Sequence, residues 1–258
     1  LAWPRWTRDG TGILFVMYRD SLELAAIYLV PATGGVARKL IADQTPIDGG
    51  PDSQSGVRVP WERPALEIVD LRSGRATGVV PLPDSLFKHT TTGMSNWTYV
   101  RVAPNGQWVA ASAEPRWCLV PLARGVALQV LPEGRAFAWS AGSDFLYFLT
   151  GAPGAVDLRK VAVDSRTGRL GRSALVRSLP NATDFDVGPG DRVVYMESNA
   201  SSQVYAWSMA SGPPGQVQGL HPVTEGTRPG GSAAISDDGT RVAFSRQRGS
   251  DLELEVAP

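Results

Sequence analysis

The chain has 258 residues, with 25 basic and 25 acidic side chains, 28 Gly, 20 Pro, eight Trp and one Cys. That length buries a sizeable core in one large domain or two small ones, and 43% hydrophobic with 19% charged residues excludes a disordered chain. Zero formal net charge argues against a nucleic-acid binder, and the single Cys118 excludes a disulfide framework or a multi-cysteine zinc site. Every apolar run breaks well short of the ~18–20 residues that span a bilayer. The chain opens on Leu1 with no signal-peptide pattern, so residues 1–258 are expected to be a single domain excised from a longer protein. Gly and Pro are spread along the whole length, as punctuation between many short elements.

In chain order, one pattern recurs: a short β-rich run, a turn, then a second β-rich run. Trp6-Thr-Arg-Asp-Gly10 precedes Ile13-Leu-Phe-Val16, and Ser53-Gln-Ser-Gly56 precedes Val57-Arg-Val59. Val102-Ala-Pro-Asn-Gly106 precedes Trp108-Val-Ala-Ala111, and Trp139-Ser-Ala-Gly-Ser143 precedes Phe145-Leu-Tyr-Phe-Leu149. Phe185-Asp-Val-Gly-Pro-Gly190 and Ile235-Ser-Asp-Asp-Gly239 complete the set. The anchors at 10, 56, 106, 143, 190 and 239 are separated by 46, 50, 37, 47 and 49 residues, the spacing of propeller blades. The second copy is the weakest.

A third run closes most copies at a glycine, as in Ile27-Tyr-Leu-Val-Pro-Ala-Thr-Gly34 and Leu66-Glu-Ile-Val-Asp-Leu-Arg-Ser-Gly74. A fourth short run follows, such as Ala37-Arg-Lys-Leu-Ile41 or Ala127-Leu-Gln-Val-Leu131. Four antiparallel strands per copy make one blade. The sixth copy stops at its third strand, Leu254-Glu-Val-Ala-Pro258, so the last blade is expected to be incomplete. The fold class is therefore all-β, a six-bladed propeller. Asp9, Asn105 and Asp238 suit structural turns, where a short side chain bonds backbone amides ahead of it. Trp6, Trp139, Phe185 and Ile235 are expected at equivalent inner-strand positions, filling the gap between blades.

These residues resemble the TolB-type propeller repeat, in which an aromatic-Ser-Pro-Asp-Gly turn leads into Ile-Ala-Phe and a later Asp-Ile-Tyr-Val run ends at Gly-Gly. Trp6-Thr-Arg-Asp-Gly10 with Ile27-Tyr-Leu-Val-Pro-Ala-Thr-Gly-Gly35 matches over nearly a whole blade. Ile235-Ser-Asp-Asp-Gly239-Thr-Arg-Val-Ala-Phe244 matches again. Arg8, Ala141 and Asp237 stand where the family often has Pro. The resemblance implies a scaffold used for docking proteins, for sensing ligands, or for gating a prolyl-oligopeptidase-like enzyme. Fold alone does not choose among these.

A serine hydrolase needs a nucleophile on a strained turn, and no Gly-x-Ser-x-Gly occurs. His89 and His221 are expected in connections between blades, facing each other across the channel mouth. That separation argues against a shared metal ion, whose ligands must lie about 2 Å from it. Cys118 sits in an apolar run and reads as a packing element. The connections between second and third strands carry Arg19, Glu62, Arg63, Glu114, Arg116, Glu197 and Arg246, a ring of mixed charge on the face of the two histidines. Together with His89 and His221 these are the candidate binding residues for a polar ligand or peptide segment. The same residues also suit a solvated face whose charges pair locally. The long connections at 42–56 and 221–233 add to the binding reading, because long loops on a rigid scaffold often carry function.

Asn96, Asn181 and Asn199 stand in Asn-x-Ser/Thr triplets, but 22 Arg against three Lys fits a bacterial coding bias and lowers their weight as glycosylation sites. The expected function is a non-catalytic module binding a protein segment or small polar ligand at the channel face. It would serve as the sensor or docking part of a larger bacterial protein, kinase-associated or TolB-like and periplasmic. The alternative is the gating propeller of a prolyl-oligopeptidase-like hydrolase. A weaker third is a lyase or hydrolase using His89 or His221 as base. No cofactor, metal, nucleic acid or membrane span is implied.

Overall fold

A computed structural model describes residues 2–19, 21–42, 45, 47–60, 65–82, 97–113, 116–122, 129–131, 134–152, 154–198, 202–208, 218–224, 232–248 and 251–258. Six antiparallel sheets form in chain order. The first blade comprises β1 (Ala2–Trp6), β2 (Gly12–Arg19), β3 (Ser21–Pro31) and β4 (Arg38–Ile41). The second comprises β5 (Ile47–Gly49), β6 (Ser55–Arg58), β7 (Ala65–Asp70) and β8 (Ala76–Pro81). In the third are β9 (Trp97–Val102), β10 (Trp108–Ala113), β11 (Arg116–Pro121) and β12 (Gln129–Leu131). The fourth holds β13 (Arg135–Trp139), β14 (Phe145–Thr150), β15 (Asp157–Val163) and β16 (Leu170–Ser178). The fifth holds β17 (Ala182–Gly188), β18 (Arg192–Ser198), β19 (Ser202–Ser208) and β20 (Gln218–Pro222). The last has three strands, β21 (Ala233–Ile235), β22 (Val242–Arg248) and β23 (Asp251–Ala257).

The first strand of each blade touches the first strand of the next, and β1 touches β21, so the ring closes. Apolar side chains fill the gaps between blades. Trp108, Trp117, Phe137, Trp139 and Phe148 pack the junction of the third and fourth blades. At the closing junction Trp6 and Ile13 of the first blade meet Ala234 and Ala243 of the last. The Trp6 indole N–H donates to Ala234 O at 3.2 Å, and the Arg241 guanidinium lies 4.6 Å from the Trp6 ring centre. Arg241 also donates to Gly10 O at 2.9 Å. Arg192 does the same one blade earlier, donating to Gly239 O at 2.6 Å. The last junction thus repeats the device of the one before it, without a fourth strand.

The first turns fix the register. Thr7, Gly50, Ala103, Ser140 and Ser236 each donate their backbone N–H to the carbonyl five residues on, opening the same hairpin. Within it Asp9, Asp52, Asn105 and Asp238 accept from the amide two residues ahead, at 2.9–3.1 Å. Their role in the turns is structural, and the bonds from Ser236 and Thr240 hold the Asp238 carboxyl down to about 2. The left-handed position next in line is Gly10, Gly106, Ser143 and Gly239, with φ of 61–69°.

The second and fifth blades depart from the spacing of the other first turns. In the second blade Ser53 stands at the corresponding place without a positive φ, and Gly56 already lies in β6, so the repeat starts at Ile47 inside the stretch read as a long connection. In the fifth blade the turn is one residue shorter, pairing Val187 with Val193. Val187 therefore stands in the slot of Trp6, and Phe185 lies two residues before it.

Candidate functional site

Antiparallel strands put the turns between first and second strands at one mouth of the channel. The hairpins between second and third strands lie at the other. One residue before the inter-blade slot, the six inner strands carry Arg5, Asp48, Arg101, Ala138, Asp186 and Ala234. Arg5, Asp48, Arg101 and Asp186 line the channel cavity, whereas Ala138 and Ala234 pack among the apolar side chains between blades. Four of the six are charged, where a small or apolar residue would close the channel at less cost.

The two aspartates staple neighbouring blades. Asp48 Oδ2 accepts from the Val102 amide at 2.7 Å, and Asp186 Oδ2 accepts from the Ile235 amide at 3.1 Å. Asp186 Oδ1 also takes the Val187 amide at 3.0 Å. Burial pushes the Asp48 carboxyl up to about 7, against the pull of Arg5 and the Val102 amide. Burial likewise raises Asp184 and Asp186 above the usual carboxylate range, with Arg5 the main opposing charge. Arg5 and Asp184 are 4% and 2% exposed, and they approach to 4.0 Å between the first and fifth blades.

Arg8 reaches from the first turn over its neighbours, donating to Gly50 O at 3.3 Å and Ala103 O at 3.1 Å. Arg101 is 4% exposed. Its Nε donates to Phe137 O at 2.8 Å, while Nη2 is buried with no hydrogen-bond partner. A guanidinium only donates, so a buried free Nη2 lacks an acceptor. Arg5, Arg8 and Arg101 line a cavity of about 80 Å³ with Asp48, Asp186 and Asp237. Trp6, Trp139, Val187 and Ile235 form its apolar wall. Asp237 stands exposed at the rim, its carboxyl raised by partial burial and pulled back by Arg8. A second, larger hollow of about 480 Å³ opens on the same side between the first two blades. Its walls include Leu29, Pro31, Leu71 and Val36, the last 91% exposed, and Arg38 ties them by donating to Leu71 O at 2.6 Å.

The candidates named from the sequence lie elsewhere. Arg19 ends β2, Arg116 begins β11, and Arg246 lies toward the end of β22, all far from the first turns. Glu197 lies near the end of β18, where its Oε1 accepts from Asn181 Nδ2 at 3.1 Å. Arg246 pairs with Glu255 at 3.2 Å, a local pair on one blade. His221 is exposed in β20, the outermost strand of the fifth blade, and not in the connection beyond it. Glu62, Arg63, His89 and Glu114 fall outside the described residues. Cys118 is buried, its Sγ 3.6 Å from Ala111 O, and burial pushes its thiol up to about 12, as suits a packing residue. Among the described residues no cluster of three or more His, Cys, Asp or Glu could hold a metal ion. No helix among them is long and apolar enough to cross a membrane.

The sequence did not point to the charged cavity because its charged residues come from five different blades, with no local motif. The signal was a charged residue directly before the slot residue on strands expected to be apolar, readable only once the second and fifth blades are in register.

The fold and channel define a six-bladed β-propeller of four-stranded antiparallel blades, the last with three strands. No family model and no curated protein sequence matches the chain. Solved structures do match. TolB from Acinetobacter baumannii aligns with a TM-score of 0.68 and 14% identity over 96% of this chain and 61% of that one. The chain therefore spans about three fifths of that TolB structure's length. A structure of the nidogen/laminin complex aligns with a TM-score of 0.68 and 11% identity over 94% of this chain and 88% of that one. A gluconolactonase from Xanthomonas campestris aligns with a TM-score of 0.66 and 18% identity, covering 100% and 85%. At these identities the likeness is one of fold. It includes a protein in a complex and an enzyme.

Proposed function

We propose that this propeller is a non-catalytic binding module that takes a protein segment or small polar ligand at the first-turn mouth of its channel. One observation carries the reading: Arg101, whose buried Nη2 has no hydrogen-bond partner, lines a cavity ringed by charge. Such a group is costly to leave unmet and is supplied by what binds there. The neighbouring hollow on the same side offers apolar wall for a larger ligand. The nidogen/laminin match supports a propeller working in a protein complex. The TolB-like repeat favours the sensor or docking part of a larger bacterial protein, outside the cytoplasm. The opposite mouth, toward which Arg19, Arg116, Glu197 and Arg246 lie and where the sequence also led Glu62, Arg63, His89, Glu114 and His221 to be expected, is a secondary surface in this reading.

The test is a thermal-shift screen of short peptides and small polar compounds, run beside a turnover assay on esters and lactones. A ligand is expected to raise Tm in the native chain and much less in Arg101→Met, since binding to the folded state alone stabilises it. Turnover of a panel compound that is lost on a channel substitution would overturn the non-catalytic reading.

A further inference from the structure

The channel cavity has a chemistry more specific than "polar". Arg101 offers donors and no acceptor, and its fixed planar fork suits an oxygen anion better than a neutral group. Nε is already spent on Phe137 O, which holds the guanidinium plane in place; the side chain lines the cavity, and its buried Nη2 has no partner. The space, about 80 Å³, exceeds the ~10–15 Å³ that one water needs and suits a small charged group.

The charge around it sets the valence. Three cations, Arg5, Arg8 and Arg101, face three carboxyls, Asp48, Asp186 and Asp237. Asp184 sits behind them against Arg5. Asp48 and Asp186 each accept a backbone amide of the next blade on Oδ2, so they are held in the wall and are not mobile counter-ions for Arg101. A doubly charged anion would meet those carboxylates at short range. A singly charged planar group would not be so opposed. A cation would meet three guanidiniums.

We propose that the first-turn mouth of the channel binds one carboxylate group, with Arg101 as its principal donor and the Arg8 guanidinium at the rim beside it. This rests on the binding reading above and names its ligand class. The carboxylate belongs either to a small organic acid or to the C-terminus of a polypeptide; both present the same two oxygens to the guanidinium. Binding takes up protons. The arriving negative charge disfavours ionised Asp48, Asp184, Asp186 and Asp237, while Arg5, Arg8 and Arg101 stay charged throughout. Asp48 and Asp186, already raised by burial, are the groups able to take the proton near neutrality. Affinity therefore rises as pH falls.

The experiment follows the arginine Nε–H resonances of the full chain during titration with acetate, with inorganic phosphate, and with a short neutral peptide carrying a free or amidated C-terminus. Acetate is expected to shift the Arg101 resonance saturably and to bind about tenfold more tightly near pH 5 than near pH 8. Arg101→Met should weaken acetate at least about tenfold, and Arg101→Lys should give an intermediate loss, with unfolding curves confirming that both variants fold. If the free-ended peptide exceeds acetate and its amide does not bind, the carboxylate is a polypeptide terminus. If peptide and acetate bind alike, it is a small acid. The proposal is overturned by the absence of saturable acetate binding at low pH, by equal binding of phosphate near pH 8, where it is doubly charged, by equal binding of the amidated peptide, or by unchanged binding in a folded Arg101→Met. A ligand found in the thermal-shift screen that acetate does not displace would remove the carboxylate assignment and leave the binding module standing. No ligand in either experiment would remove both.

Discussion

Two junctions of the ring use the same tryptophan for different ends. Between the third and fourth blades the Trp139 indole donates to Arg101 O at 3.1 Å. Between the last and first blades Trp6 donates to Ala234 O at 3.2 Å. Behind the first staple lies a dense aromatic block, with Trp117 stacked on Phe137 at 5.0 Å and tilted on Phe148 at 5.1 Å. Behind the second lie alanines, Ile13 and a guanidinium over the indole. The backbone carbonyl does the same work in both places, while the side chain on that residue differs, Arg101 in one and Ala234 in the other. The bond needs only the carbonyl, so Arg101 can line the channel cavity while Ala234 packs at the closing junction.

Substitutions can break this contrast. Phe137→Ala removes a fully buried ring from the aromatic block and is expected to cost about 3–5 kcal/mol in chemical unfolding. Arg241→Met at the closing junction keeps the stem but loses the ring contact and the bond to Gly10 O, for about 1–2 kcal/mol. Equal costs would mean that the last junction carries as much of the fold as the third.

A third effect is one of pH. Folded Asp48 holds its proton up to about pH 7, whereas the unfolded side chain loses it near 3.8. Over that window the native state binds more protons, so the contribution of Asp48 is full below about pH 4 and is lost as pH rises toward 7. Asp48→Asn keeps an oxygen for the Val102 amide and should flatten the fall of Tm across this range. An unchanged slope would place the titration on other groups.

Much of the fold is legible in the sequence because each first turn rests on local chemistry. An Asx bond followed by a left-handed residue shows as Asp-Gly or Asn-Gly, and three blades display it plainly at Asp9, Asn105 and Asp238. The second blade hides it because Ser53 replaces the glycine while Asp52 keeps the bond, and Gly56 draws the alignment three residues on. Phe185 misleads for a similar reason, since the turn after Val187 is a residue short. The cavity is less legible. Arg5, Asp48, Arg101 and Asp186 are far apart in the chain, and only closure of the ring brings them to one mouth. Charge on the hairpins of the other mouth is conspicuous in sequence, yet Arg246 there is met by Glu255 of its own blade.

The central claim is that ligands enter at the first turns, and hydrogen exchange of the chain with and without its ligand tests it most directly. Slowed exchange is predicted in the first turns, around residues 7–12, 50–55, 103–108 and 236–241, and in the inner strands behind them. Slowing confined to the opposite hairpins, such as the end of β18 and the start of β19, would contradict it.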